Sequence, residues 1–188
     1  ASGGISLVDC TILDNQALTI GGGVHASGTI SLSRCAVHDN AAMQGGGLAL
    51  ASTATLENST ISANSALSSV PGEGGGGVLL VSGSIATFRH CTIAFNTATS
   101  EGGGLLHVAG TISTDLSIVA ENLAPIGPDV AGDCGSLGHN LIQQSAGCVG
   151  LLVTDLADVD ARLEPLADNG GATATHALGT YSRAIDGA

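Results

Sequence analysis

Two short motifs recur along this chain in a fixed order, and that repetition constrains the fold more than any other feature. Three glycines followed by Val or Leu begin at Gly21, Gly45, Gly75 and Gly102. A second motif, [CS]x[IV]xxN, ends at Asn15, Asn40, Asn64, Asn96 and Asn122. Successive asparagines are 25, 24, 32 and 26 residues apart. A period of this size is typical of a solenoid, in which each repeat contacts only its neighbours.

Each repeat contains three short stretches in which polar and apolar residues alternate, and none shows a helical period. Examples are residues 77–81 after the glycines, residues 28–33 after a turn, and residues 10–15 in the second motif. The pattern predicts an all-β fold: a single-stranded right-handed parallel β-helix with three short strands and about 24–30 residues per coil. A β-propeller, the alternative repeat fold, needs about 40–45 residues per blade, more than these units contain.

Equivalent residues of neighbouring coils stack about 4.8 Å apart in such a fold, so aligned positions form columns. Three apolar columns are predicted to face the core: Ile12, Val37, Ile61, Ile93 and Val119; Val24, Leu48, Val78 and Leu105; and Ile5, Ile30, Ala54, Ile85 and Ile112. A buried column of small residues comprises Cys10, Cys35, Ser59, Cys91 and Ser117. The motif asparagines are predicted to form a structural ladder at turns, because Asn tolerates the left-handed conformation.

The glycine triplets fall at one corner of every predicted coil. Glycine accepts a positive φ there and lets neighbouring coils approach without Cβ clashes, so the triplets indicate architecture and not a ligand cradle. A phosphate loop is excluded because the chain has no lysine and no GxxxxGK[ST] motif. The search for function therefore moves to the loops beside this corner, residues 65–74 and 122–134.

These motifs resemble known families of surface proteins. IxxN followed by GGG[VL] is similar to the FxxN and GGA[ILV] repeats of polymorphic outer-membrane proteins. The tail, with "DCGSLGHNLIQQSAGC", "DLADVDARLEPLADNGGATATHAL" and "RAID", resembles that of bacterial choice-of-anchor Q surface proteins. It departs from their pattern at Ala161, Glu164, Ala172 and Arg183.

The resemblance implies a secreted β-helix or one displayed at the bacterial cell surface. Residues 1–133 are expected to form coils, and residues 134–188 the last coils, a disulfide and a C-terminal cap. We expect upstream coils or another subunit to cover the N-terminal end of the stack. The resemblance implies no defined activity.

The five cysteines allow two pairings. In a secreted protein Cys134 and Cys148 are the natural disulfide, since they flank a 13-residue segment that contains Gly and Ser. Cys10 and Cys35 occupy adjacent coils of one column, where the alternatives are a bridge and a buried reduced stack. Cys91 lies two coils beyond Cys35, too far to bridge to it.

The charge balance restricts partners and chemistry. Net charge is −12, with no Lys and four Arg, which argues against binding nucleic acid or an anionic membrane surface. No apolar run is long enough to insert this chain into a bilayer. Asp155, Asp158 and Asp160 are weak calcium candidates, because Ca²⁺ prefers several oxygen ligands, but they lack the DxDxDG loop. Otherwise no cofactor and no catalytic residue is identified.

The sequence supports three functional hypotheses. The first is a non-catalytic surface β-helix acting as a stalk, adhesin or interaction surface, with a protein or glycan as partner. The second is a carbohydrate-active β-helix that binds or cleaves polysaccharide. The third is a repeat unit of a filament or passenger.

Overall fold

The computed structural model describes residues 4–185 as a stack of β-coils. In chain order its strands are β1 (Ile5–Val8), β2 (Thr11–Leu13), β3 (Val24–Ala26), β4 (Ile30–Ser33), β5 (Ala36–His38), β6 (Ala41–Ala42), β7 (Leu48–Leu50), β8 (Thr53–Glu57), β9 (Thr60–Ser62), β10 (Ser65–Ala66), β11 (Val78–Leu80), β12 (Ile85–Arg89), β13 (Thr92–Ala94), β14 (Thr97–Ala98), β15 (Leu105–His107), β16 (Thr111–Asp115), β17 (Ile118–Ala120), β18 (Val130–Asp133), β19 (Ser136–Gly138), β20 (Leu141–Ile142), β21 (Cys148–Val149), β22 (Leu156–Ala157), β23 (Leu163–Ala167) and β24 (Thr175–Leu178).

Each strand pairs with its equivalent in the next coil, so three long sheets run along the stack. The first sheet has the order β1-β4-β8-β12-β16-β19, the second β3-β7-β11-β15-β18-β21, and the third β2-β5-β9-β13-β17-β20-β22. Pairing within these sheets is parallel throughout. The predicted parallel β-helix is therefore confirmed. The sequence did not anticipate a fourth, short sheet, β6-β10-β14.

Two of the predicted apolar columns line the core as expected. The column of Ile12 and Val37 continues in register to Ile142, and the column of Val24 and Leu48 continues to Val130. Most members of both columns are fully buried.

The third predicted column is wrong at Ile85. Ala86 pairs with Ala54 and Ile112, while Ile85 pairs with Thr53 and is 54% exposed. The turn between β11 and β12, residues 81–84, is two residues longer than the equivalent turn at residues 51–52, and β12 then pairs with β8 without interruption. The predicted column therefore places β12 one residue out of register, and a one-residue error turns each side chain to the opposite face of a sheet. Ile5 keeps register with Ile30 but is 58% exposed, because no strand within residues 4–185 pairs with the other edge of β1.

The corners of the coils depend on left-handed backbone. Gly21 has φ +68°, and a Cβ on the next residue, Gly22, would lie 2.2 Å from the carbonyl oxygen of Gly46. Only glycine fits such an approach between coils. At the opposite turn the left-handed residue is the one before each motif asparagine, such as Asp39 or Phe95, which corrects the prediction that Asn adopts this conformation.

The parallel pairing continues past residue 133 through β19 to β22. The antiparallel hairpin β23–β24 follows, and its segment covers the outer face of the third sheet, where Leu163 and Ala184 pack near Ala120 and Leu141. Whether residues 134–188 are a separate unit stays a prediction, and Asp186 of the "RAID" motif lies outside the described residues. Across residues 4–185 there is no helix with the length and apolar character needed to cross a bilayer.

Candidate functional site

The motif asparagines form a continuous chain of side-chain hydrogen bonds. Asn15 Nδ2 donates to Asn40 Oδ1 at 3.0 Å, and the same contact repeats between each pair of neighbours up to Asn122. Each Oδ1 also accepts the backbone N–H of the preceding asparagine. From Asn40 to Asn122 the ladder is buried. Its amide groups satisfy one another, and this arrangement serves the fold.

The ladder ends on a buried acid that the sequence reading missed. Asp129 Oδ1 accepts Asn122 Nδ2 at 2.9 Å, and Asp129 Oδ2 accepts the backbone N–H of Gln144 at 2.7 Å. Burial raises the pKa of Asp129 to about 6, against the hydrogen bonds that favour its charged form. Asp129 lies in the loop at residues 122–134, outside both repeat motifs, so no motif marked it.

The column of small residues is buried except at Cys10, which is partly exposed. Ser59 Oγ accepts the backbone N–H of Cys35, and Ser117 Oγ accepts that of Cys91, each at 3.1 Å. Burial raises the pKa of the Cys91 thiol to about 11, so this thiol stays protonated and unreactive at neutral pH.

The three calcium candidates do not meet at one centre. Asp155 accepts hydrogen bonds from Ser136 Oγ and from the backbone of Asn140 and Leu152, and these contacts outweigh burial to hold its pKa below the ordinary value. Asp158 accepts both donors of Ser145, and Asp160 accepts the backbone N–H of Arg162. No group of three or more His, Cys, Asp or Glu within residues 4–185 is placed to hold a metal ion.

Cys134 and Cys148 form a disulfide, with their Cα atoms 5.5 Å apart. The bridge spans the coil that contains β19 and β20 and links the end of β18 to β21, its neighbour in the second sheet. Cys10, Cys35 and Cys91 are free thiols, so the alternative of a Cys10–Cys35 bridge is not what the structure shows.

One long edge of the molecule exposes large apolar side chains. Leu18 is 91% exposed and Leu67 50%. Ala41 of the fourth sheet pairs with Ser65 on one side and with Gln16 on the other. Two residues after these three positions come Met43, Leu67 and Leu18. We define the loop-side surface as the exposed side chains of Leu18, Met43, Leu67, Val70, Leu123 and Ile126.

The segments that carry the loop-side surface contain acids as their only charged residues. These segments, residues 14–20, 39–44, 63–74, 95–101 and 121–127, contain no Lys or Arg. They contain the acids Asp14, Asp39, Glu73, Glu101 and Glu121. An exposed apolar patch with a charged border is typical of an interaction site.

The two loops that the sequence singled out shape a groove at the end of this surface. Two adjoining cavities of about 230 and 300 Å³ share Glu101 and Ile126 as lining residues. Pro71 forms one wall of the groove and Val108 another. The Glu101 carboxylate accepts the backbone N–H of Gly72 and so ties the loop at residues 65–74 to the next coil.

A separate cavity of about 370 Å³ lies beneath the C-terminal hairpin. It is lined by Ser62 and Phe95 of the coils and by Leu163, Leu166 and His176 of the hairpin. His176 contacts Ser62 and packs against Phe95, with ring centroids 4.9 Å apart. Ser62 and His176 are 114 residues apart in the chain, so no local sequence motif marks their contact.

The comparison with protein families agrees with this geometry. The family model described as "Right handed beta helix region" matches residues 1–121 of the 188. Comparison with curated proteins and with solved structures finds no match to the chain.

Proposed function

The chain belongs to the family of right-handed β-helix regions, and from that premise we propose that it is an extracellular or cell-surface interaction module. Its coils serve as a rigid stalk, and its loop-side surface binds a basic protein partner. The observation that carries the proposal is the row of exposed apolar side chains bordered by five acids and no base.

Charge supports a basic partner over self-association. The chain carries a net charge of −12, so two copies repel one another. A segment with Lys or Arg beside apolar side chains complements both the acids and the row from Leu18 to Leu67. Such complementarity increases the association rate and disfavours wrong partners.

The disulfide supports the proposed location. Such bonds persist in oxidising compartments and are rare in the cytosol, so Cys134–Cys148 favours a secreted or surface-displayed chain. The resemblance of the tail to choice-of-anchor Q surface proteins favours the same location. Membership of that narrower family is part of the proposal.

A defined peptide tests the binding proposal. The probe is a short peptide that alternates Leu and Lys, with a Leu–Glu peptide of equal length as control, and affinity is measured by calorimetry. We expect binding of the Leu–Lys peptide alone, weakening as salt rises because salt screens the attraction between its lysines and the acids. Equal binding of both peptides, or of neither, contradicts the proposal.

Matched variants locate the binding site. The combined variant Leu18→Ser, Met43→Ser and Leu67→Ser is expected to weaken binding about tenfold or more. Val153→Ser is the control, since Val153 is 99% exposed and lies outside the loop-side surface. An equal loss of affinity in both variants would show that the peptide binds exposed apolar side chains anywhere on the protein, and this would contradict the proposed site.

The carbohydrate-active alternative is tested with the same protein. Incubation with a panel of polysaccharides, with and without Ca²⁺, is expected to release no reducing ends. Release from one polysaccharide would replace the interaction module with a glycan-cleaving β-helix.

A further inference from the structure

The contact between Ser62 and His176 has a defined proton arrangement. Ser62 Oγ lies 2.8 Å from His176 Nε2, and His176 Nδ1 lies 2.8 Å from the carbonyl oxygen of Glu164. A carbonyl oxygen can only accept, so Nδ1 carries the hydrogen and Nε2 presents a lone pair. The Ser62 hydroxyl therefore donates to Nε2. A nucleophile bonded to a base that a third group orients is the arrangement of covalent catalysis.

The surroundings keep His176 neutral. Burial lowers the pKa of His176 below its ordinary value, and the hydrogen bond to Glu164 opposes this shift only in part. Phe95 covers one side of the ring. The titratable side chains on the adjoining elements are Glu164 of the hairpin, whose backbone carbonyl binds His176, and His38 and Asp39 of the neighbouring coil, where His38 Nδ1 contacts Asp39 Oδ2 at 2.7 Å. His38 is also the in-register neighbour of Ser62.

The cavity beside the pair suits a small apolar group. Its volume of about 370 Å³ is within the usual range of ligand pockets. Leu163, Pro165 and Leu166 form its apolar wall, and Ser62 and His176 supply its polar groups. Ser62 as a whole is only 1% exposed, but it lines this cavity, and the proposed route of a reagent to Oγ is through the cavity.

We propose that Ser62 is a nucleophile, and His176 its general base, in a site that hydrolyses esters of small apolar carboxylic acids. The Ser62 Oγ proton moves to His176 Nε2 as Oγ bonds to the ester carbonyl carbon. The bond from that carbon to the alkoxy oxygen breaks, and the leaving alcohol takes the proton from Nε2. Water then attacks the acyl-serine, gives its proton to Nε2, and frees the acid as Ser62 regains that proton. The net reaction is ester plus water to acid plus alcohol.

The same contact also holds the hairpin against the coils, with help from Thr173 Oγ1, which donates to the carbonyl oxygen of Arg34 at 3.2 Å. A purely structural contact and a reactive pair both predict that loss of His176 loosens the hairpin. Only a reactive pair predicts covalent modification of Ser62 in the intact protein, so the test measures modification. It is independent of the peptide-binding test for the proposed function.

The experiment treats the purified chain with a fluorophosphonate probe and maps the adduct by mass spectrometry. We expect one adduct, on Ser62, and a labelling rate that rises to its plateau at a lower pH than a free imidazole would give, because burial lowers the pKa of His176. His176→Gln is expected to slow labelling about a hundredfold, the usual contribution of a general base. Ser65→Ala is the control, since Ser65 Oγ contacts Thr97 Oγ1 at 3.0 Å and, within residues 4–185, no histidine.

Mapping on the wild-type protein needs no variant to fold. No adduct on Ser62, or labelling at other serines at an equal rate, overturns the proposal. Hydrolysis of p-nitrophenyl acetate that is lost on labelling is the second expected result. Hydrolysis that survives full labelling would place the activity elsewhere and equally overturn the assignment.

Discussion

At the scale of single residues, Asp129 is an acid placed where the repeat would supply an amide. Its carboxylate accepts both the backbone N–H and the Nδ2 of Asn122, as an asparagine Oδ1 does elsewhere in the ladder. Its second oxygen also accepts the backbone N–H of Gln144. An asparagine at this position has only one side-chain oxygen, so it would place its NH₂ group against the Gln144 N–H. Asp129 therefore joins the ladder to the following coil, but as a buried charge at neutral pH.

Asp129 should make stability depend on pH. Its folded pKa of about 6 is above the unfolded value near 3.8, so the native state binds the proton more tightly. Stability from this group is therefore greatest below about pH 4 and falls as pH rises toward 6, by at most about 3 kcal/mol. Asp129→Asn removes the titration.

The measurement is urea unfolding of both proteins between pH 4 and 7. The wild type is expected to lose stability relative to Asp129→Asn as pH rises. A constant difference across this range would show that Asp129 does not titrate there.

His107 is a second residue-scale test. It continues the inward column of Leu50 and Leu80, and its Nε2 is buried without a hydrogen-bond partner among residues 4–185. His107→Leu is expected to stabilise the protein by about 1–2 kcal/mol, because it removes an unsatisfied polar atom. Thermal unfolding measures this, with His25→Leu as the exposed control. Destabilisation by His107→Leu would contradict the prediction that His107 places an unsatisfied polar atom in an apolar column.

At the scale of elements, the Asn ladder is the feature with the clearest energetic consequence. Asn64→Ala removes the Oδ1 that accepts the backbone N–H and one Nδ2 hydrogen bond of Asn40, and it removes the Nδ2 donor to the Val37 carbonyl. We expect a loss of about 3 kcal/mol in the free energy of unfolding. The matched control is Asn15→Ala, since Asn15 is exposed and should cost below about 1 kcal/mol. Equal losses in urea unfolding would mean that burial does not set the strength of the ladder.

The elements also show what sequence could predict. Ladder members share a motif, so alignment placed Asn15 through Asn122 in one column. The motif has no information about the length of the turn before β12, where residues 81–84 replace the two residues 51–52 of the previous coil. The sequence therefore predicts Ile85 in the core, where Ala86 and the fully buried Phe88 lie. The fourth sheet was missed because two-residue strands carry no alternation to detect.

The candidate sites were less predictable than the coils. The loops at residues 65–74 and 122–134 were identified because they interrupt the repeat. The contact of Ser62 with His176 depends on how the hairpin folds back over the third sheet, and this long-range packing leaves no local signal. The calcium candidates clustered in sequence, but each carboxylate is bound by its own backbone donors.

At the scale of the whole molecule, the faces of the β-helix have different surroundings. The C-terminal segment covers the third sheet, and the loop-side surface remains open with its row of apolar side chains. The coils of a solenoid stack at a regular spacing, so side chains at equivalent positions of successive coils form a row along the stack. The central claim is that this open edge is where the molecule binds.

Hydrogen exchange of the complex tests that claim most directly. The Leu–Lys peptide is added to the wild-type chain, and amide exchange is followed by mass spectrometry with and without it. We predict slower exchange at Leu18, Met43 and Leu67 and in the loop at residues 65–74, with no change in the first sheet. Protection confined to the first sheet or to the hairpin, with none along the loop-side surface, would contradict the account.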